Sequence, residues 1–224
     1  MGADGPLVIE LLGHPGAGKS TLAHAARKMS DSLGRAELGA AWRQLPAVRH
    51  GFFLWQASRD GACLAQAMRL VFGDRLLSLD SIVRLARLLV KSHWTRSQSR
   101  SLLLEEGSLQ DLWSIYYSAG KMEPDPHLLA PFIRCLYRDV NARIVLLELN
   151  PTVAFDRIRD RRDGKSRLDR LPEAELWRRL AETAQLPHRL AEAARLAGLP
   201  VESLDASRSL KTSVSRLRAI MRGG

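Results

Sequence analysis

One stretch constrains this chain more than any other. Gly13-His-Pro-Gly-Ala-Gly-Lys-Ser20 follows directly on the apolar run Leu7 to Leu12 and leads into a segment where Leu22, Ala25, Ala26 and Met29 recur at helical spacing. A short apolar run closed by glycine reads as a buried parallel strand, so the unit is strand, glycine-rich turn, helix. The pattern G-x-x-x-x-G-K-[ST] is complete. Its glycines let the backbone curl until successive N–H groups point inward around phosphate oxygens. Lys19 then reaches the outer phosphates, Ser20 offers a hydroxyl to Mg²⁺, and the helix start adds its positive end. Gly13, Pro15, Gly16, Ala17, Gly18, Lys19, Ser20 and Thr21 are therefore the predicted cradle for a nucleoside triphosphate, with ATP as the expected ligand.

Strands and helices alternate along the rest of the chain. Leu102 to Leu104, Ile144 to Leu149 and Val201 to Leu204 read as buried strands, and Phe52 to Trp55 is a further candidate. Helical spacing runs from Ala62 to Val90 with an interruption at Gly73-Asp74. Leu76, Leu79, Val83, Ala86 and Val90 form its apolar stripe, and Arg84, Arg87 and Lys91 fall together off it. Further helices are expected around Leu112 to Tyr116, over Leu128 to Tyr137 with Pro131 at its start, and over Thr152 to Arg162. A later helical region breaks at Pro187 and is capped at Gly198, and Leu210 to Met221 closes the chain. This alternation predicts one three-layer α/β domain over 1–224, a parallel sheet of about five strands with helices on both faces.

The end of a neighbouring strand is where a triphosphate site needs a carboxylate, to hold Mg²⁺ through water or to accept a proton. Glu105-Glu106 stands there, directly behind Leu102 to Leu104, at the edge where ligands collect in open α/β sheets. Glu105 is assigned to the metal and Glu106 to the acceptor hydroxyl as base; because neighbouring strand residues face opposite ways, the roles can be exchanged. Arg157 and Arg161 are four apart, hence on one helix face, and Arg162, Arg167 and Arg170 follow. A planar guanidinium matches the charge spread over a transferring phosphoryl group. Interleaved Asp156, Asp160 and Asp163 could equally make these arginines surface ion pairs.

Composition excludes some classes of function. No apolar run approaches the length of a membrane-spanning helix, and Met1 to Pro6 lacks the basic and apolar regions of a secretory signal, which predicts a cytoplasmic protein. Cys63 and Cys135 lie far apart in apolar segments and read as buried thiols, and the six histidines show no ligand spacing, so zinc is not expected. The net charge of +10 favours anionic partners: phosphorylated small molecules, or less favourably nucleic acid. A homodimer is left open.

The glycine-rich loop, the acidic pair and the arginines occur in the order typical of the P-loop nucleoside and nucleotide kinases. The chain resembles the thymidylate-kinase-like group in Leu149-Asn150-Pro151, in Arg157-Ile-Arg-Asp-Arg161 and in the basic stretch Ser166 to Asp169. That resemblance implies a P-loop NTPase fold and ATP-dependent phosphoryl transfer. It also implies a lid over roughly 157–175 in which Arg157, Arg161 and Arg167 close over the phosphates. The turn Asp205-Ala206-Ser207 would lie near the adenine ring. Two departures concern the acceptor. Thymidylate kinases carry an Asp-Arg-Tyr-type motif where this chain has Glu105 to Ser108, and an acidic Glu-Pro-type motif for which residues 45–60 offer no equivalent. Thymidylate is therefore not carried over. The acceptor, a nucleotide, a nucleoside or another small anionic or hydroxyl compound, is expected against roughly 35–100. Arg59, Arg69, Arg84 and Arg87 stand there to meet an anion, and Trp55 (or Trp113, farther along) could stack on a ring. Polynucleotide kinases and other P-loop proteins acting on nucleic acid are the nearer alternative. A regulatory GTP switch is disfavoured because no Asn-Lys-x-Asp sequence is present.

Overall fold

The computed structural model describes residues 6–28, 55–56, 58–161 and 168–222. Its four strands are β1 (Leu7–Gly13), β2 (Leu102–Leu104), β3 (Asn141–Glu148) and β4 (Val201–Asp205). They form one parallel sheet in the order β2-β1-β3-β4. Parallel pairing requires crossovers, and helices supply them: α1 (Lys19–Lys28), α2 (Gly61–Gly73), α3 (Leu79–Arg96), α4 (Ser108–Ser118), α5 (Pro126–Leu136), α6 (Pro151–Arg159), α7 (Glu173–Glu182), α8 (Leu186–Leu196) and α9 (Leu210–Arg222). The expected three layers are present, with four strands rather than about five among the described residues. Phe52, Phe53 and Leu54 lie outside those residues, and Trp55 stands in helical backbone.

Strand side chains alternate between the two faces, so the sheet divides the core in two. Ile9, Leu11, Leu103, Val145 and Leu147 pack with Leu22 and Ala26 of α1 and Val214 and Leu217 of α9. Val8, Leu12, Leu102, Leu104, Ile144 and Leu146 face a larger core built from α2 to α5 and α8. Glu10 falls on that larger face by the same alternation, and it is fully buried. A carboxylate inside an apolar core must be hydrogen-bonded to be tolerated there.

Several boundaries differ from the sequence expectation for identifiable reasons. The expected stripe of α3 is wrong in part: Leu79 and Val83 are exposed, and Ser81, Leu85, Leu88, Leu89 and Ser92 are buried. The helix is apolar on two sides, and α4 and α2 approach the side carrying the small hydroxyl residues. Helix α5 starts at Pro126, not near Pro131; Asp125 caps it by accepting from the His127 N–H at 2.9 Å. Pro131 sits inside the helix, where its missing N–H leaves one bond unmade in an otherwise buried segment. Helix α6 ends at Arg159, three residues before the expected end, so Arg161 lies just beyond the C-cap Asp160. The chain breaks at Thr183 to Gln185, and Pro187 lies in the first turn of α8. Gly198 ends α8 as expected, with φ +90° and Leu199 N bonded to Ala194 O at 3.0 Å. Among the described residues no helix is long and apolar enough to cross a membrane.

Candidate active site

The glycine-rich turn leaves the C-terminal end of β1 in the middle of the sheet. Gly13 passes so close to β3 that a Cβ there would stand 2.9 Å from the Leu147 carbonyl oxygen. Gly16 and Gly18 have φ of +85° and +82°, and the loop closes with Ala17 N bonded to His14 O at 3.1 Å. The positive φ values turn the backbone inward, a conformation L side chains rarely adopt. Lys19 opens α1 and folds back over the loop, donating to Gly13 O at 2.6 Å and His14 O at 3.0 Å. Ser20 and Thr21 are exposed at the start of α1, and Pro15 is half-buried.

Burial pushes the Lys19 ammonium down to about 8; the charges of Glu106 and Glu105 act against that shift, and the charge of Arg161 acts with it. Glu105 Oε1 also lies 3.5 Å from the Arg27 guanidinium, whose other nitrogen donates to Leu103 O at 2.8 Å. Glu106 is exposed.

Arg157 and Arg161 line one cavity of about 470 Å³ together with Gly16, Gly18, Thr21 and Ala206. Arg157 donates to Ala206 O at 3.0 Å, tying α6 to the turn behind β4. Arg161 reaches the cavity from beyond the helix end, not along a shared helix face. Arg167 lies outside the described residues. A larger groove of about 610 Å³ between α1 and α9 shares Leu210 with this cavity but contains none of the expected site residues. Of the arginines expected on the acceptor side, Arg84 pairs with Asp80 at 2.7 Å, and Arg59 lies over the exposed Trp55 ring at 4.7 Å. Trp113 is buried and stacked on Tyr117, 5.0 Å between ring centres, which makes it core.

Sequence reading missed two groups at the site. His14, the second residue of the loop, is buried with neither ring nitrogen hydrogen-bonded to a side chain. Burial, reinforced by the nearby Lys19 and His188 charges, outweighs the Ala184 backbone and pushes it down to about 4. The imidazole is therefore neutral at pH 7. Glu10 is the other, a carboxylate inside a six-residue apolar run.

The donor set fits a triphosphate. Among the described residues no group of three or more His, Cys, Asp or Glu could hold a metal unaided. Mg²⁺ would fit as the companion of the phosphates, with the Ser20 hydroxyl and the Glu105-Glu106 pair as the residues that would hold it.

No protein-family model matches the sequence, and no curated sequence relative matches it. Solved structures do match. Deoxyadenosine kinase from M. mycoides with bound dATP superposes with a TM-score of 0.53 at 16% identity, over 96% of this chain and 98% of that one. The same enzyme with bound dCTP gives 0.51 at 15% identity, over 97% and 100%. With dCMP and dCDP bound it gives 0.50 at 16% identity, over 96% and 98%. The fold is that of these deoxyadenosine kinase structures, and the likeness holds over nearly the full length, which the loop motif alone did not establish.

Proposed function

We propose that this chain is an ATP-dependent phosphotransferase that delivers the γ-phosphate to a small acceptor carrying a hydroxyl or phosphate, with nucleosides and nucleotides as the foremost class. The observation that carries the reading is the cavity of about 470 Å³ that Arg157 and Arg161 line together with Gly16, Gly18 and Thr21 of the glycine loop, with Glu105 and Glu106 at the end of the adjacent strand β2. Phosphoryl transfer needs that combination: cations for the equatorial oxygens, and a carboxylate for the metal or the incoming hydroxyl. Mg²⁺, when bound, would be held by the Ser20 hydroxyl and the Glu105–Glu106 pair and would offset the phosphate charge. The loop from Gly13 to Thr21 binds the phosphates through backbone N–H groups, and Lys19 exchanges its two carbonyl partners for the outer phosphates. Glu106 accepts the acceptor proton while Glu105 faces the metal, or the two exchange roles. Arg157, Arg161 and Arg167 close on the transferring group, and Ala206 borders the base. The acceptor class draws support from the M. mycoides kinases, which have this fold and bind deoxynucleotides.

The test is a panel of nucleosides, nucleotides and sugars with labelled ATP and Mg²⁺, wild type against Lys19→Ala. A labelled product formed by wild type and absent with Lys19→Ala supports the reading. ATP binding without any labelled product overturns it. The net charge of +10 favours a second reading, a nucleic acid end as acceptor. Substrate binding that weakens steeply between low and moderate salt would select it, because several phosphates would release counterions. The exposed apolar residues Leu64, Met68 and Phe72 of α2 and Leu79, Ile82 and Val83 of α3 are proposed to meet a second copy of the chain. A monomer mass by light scattering at all concentrations would refute that.

A further inference from the structure

The turn from β2 into α4 carries the acidic pair, and it is fastened by groups that take no part in the proposed chemistry. Gly107, the N-cap of α4, has no side chain to satisfy the first N–H groups of the helix. The cap comes instead from the middle of β1. Glu10 Oε1 accepts from Leu109 N at 2.7 Å and Gln110 N at 3.0 Å, the second and third residues of α4, where a capping side chain ordinarily bonds. Its other oxygen accepts from the Tyr137 hydroxyl. Lys91 of α3 holds the same turn by its carbonyls, donating to Glu106 O at 2.6 Å and Gly107 O at 3.2 Å. Asp111 Oδ2 anchors that ammonium at 2.6 Å. The packing leaves no slack: a Cβ on Gly107 would stand 2.0 Å from the Glu10 carboxyl carbon.

Apolar side chains at 10 and 91 would fill the same core without burying a carboxyl and an ammonium. What the two polar groups add is a fixed height and orientation for the turn. We propose that Glu10 and Lys91 are positioning residues for phosphoryl transfer, holding Glu105 and Glu106 in place at the end of β2, beside the strand that carries the glycine loop, through the α4 amides and the turn carbonyls. The inference rests on the phosphotransferase reading. It separates two jobs within the site: the glycine loop binds ATP, and the Glu10–Lys91 clamp sets how well bound ATP reacts.

The experiment measures ATP affinity by equilibrium binding and kcat by acceptor phosphorylation for Lys91→Met, Glu10→Met, Glu10→Gln and Asp111→Asn. Lys91→Met and Glu10→Met should lower kcat by about 10- to 100-fold, as small displacements of reacting groups do, with ATP affinity unchanged. Glu10→Gln keeps a carbonyl for both α4 amides and should retain most of the activity lost in Glu10→Met. Asp111 is 40% exposed and gives a variant the fold tolerates; Asp111→Asn loosens the Lys91 ammonium and should lower kcat by roughly 2- to 5-fold. Wild-type kcat in Asp111→Asn and in each folded methionine variant overturns the clamp. Equal loss of kcat and ATP affinity overturns it too, because that is what a merely structural role would produce. A wild type that binds ATP and phosphorylates nothing would sink the phosphotransferase reading and the clamp together, whereas an active wild type with indifferent variants would sink the clamp alone.

Discussion

Two lysines flank the β1–β2 pair, and the protein satisfies them in different ways. Lys91 has three acceptors, one of them the Asp111 carboxylate. Among the described residues Lys19 is hydrogen-bonded to two carbonyls of its own loop, and burial lowers its proton affinity. A buried ammonium completed by protein groups is scaffold; one left with two weak neutral partners gains most from an anion. The same division separates Glu10, saturated by two amides and a hydroxyl, from Glu106, exposed at the end of β2. On the proposed reading, the site is a reactive layer resting on a self-satisfied one.

The largest effect that distinguishes the layers is chemical. Lys19→Ala should lower phosphoryl transfer by about 10³-fold while leaving the melting temperature near wild type, since the lysine contributes little to the fold. Retained turnover in that variant would erase the contrast between the lysines. Next, Glu105→Gln and Glu106→Gln should each lower kcat by about 10²-fold with ATP affinity nearly unchanged. Normal turnover in both would move the acidic pair into the scaffold.

Acid stability comes third. His14 is depressed from 6.5 to about 4 in the folded chain, so between those values the unfolded state binds the proton and the folded state does not. Stability is then fully present above pH 6.5 and declines as pH falls toward 4, by about 3 kcal/mol. Urea unfolding of His14→Leu should show a flatter profile across that window, and an unchanged slope would remove His14 as the cause. The smallest effect belongs to the lower layer. Gly107→Ala should destabilise by about 1–3 kcal/mol through its clash with Glu10, and less in a Glu10→Ala background. Additive losses in that double-mutant cycle would show that the two residues do not press on each other.

The reactive layer was largely legible in the chain, and the supporting one was not. Glycine spacing, an apolar run and a carboxylate after a strand are local patterns, and Gly13, Lys19, Glu105 and Glu106 follow from them. Arg157 and Arg161 were found for an incomplete reason: they share the cavity, but the helix ends at Arg159, so four-residue spacing does not place them. Lys91 looked like a solvated charge beside Arg84 and Arg87 because periodicity cannot say which side of a doubly apolar helix the fold will cover. Glu10 was hidden by the very run that revealed its strand, since its partners Leu109 and Tyr137 are 99 and 127 residues distant in the chain. Long-range hydrogen bonds leave no local period to read.

The strand order has a consequence for folding. Val8 pairs with Leu102 on one side and Ala142 on the other, and Gly13 completes its ladder only with Leu147. Strand β1 therefore finds its first sheet partner only at Leu102–Leu104 and its second at Asn141–Glu148. Such high contact order slows folding, because loop closure must precede the contacts that reward it. The apolar segment Leu7 to Leu12 is thus without sheet partners until those strands are made, an interval in which chaperones or aggregation compete for it.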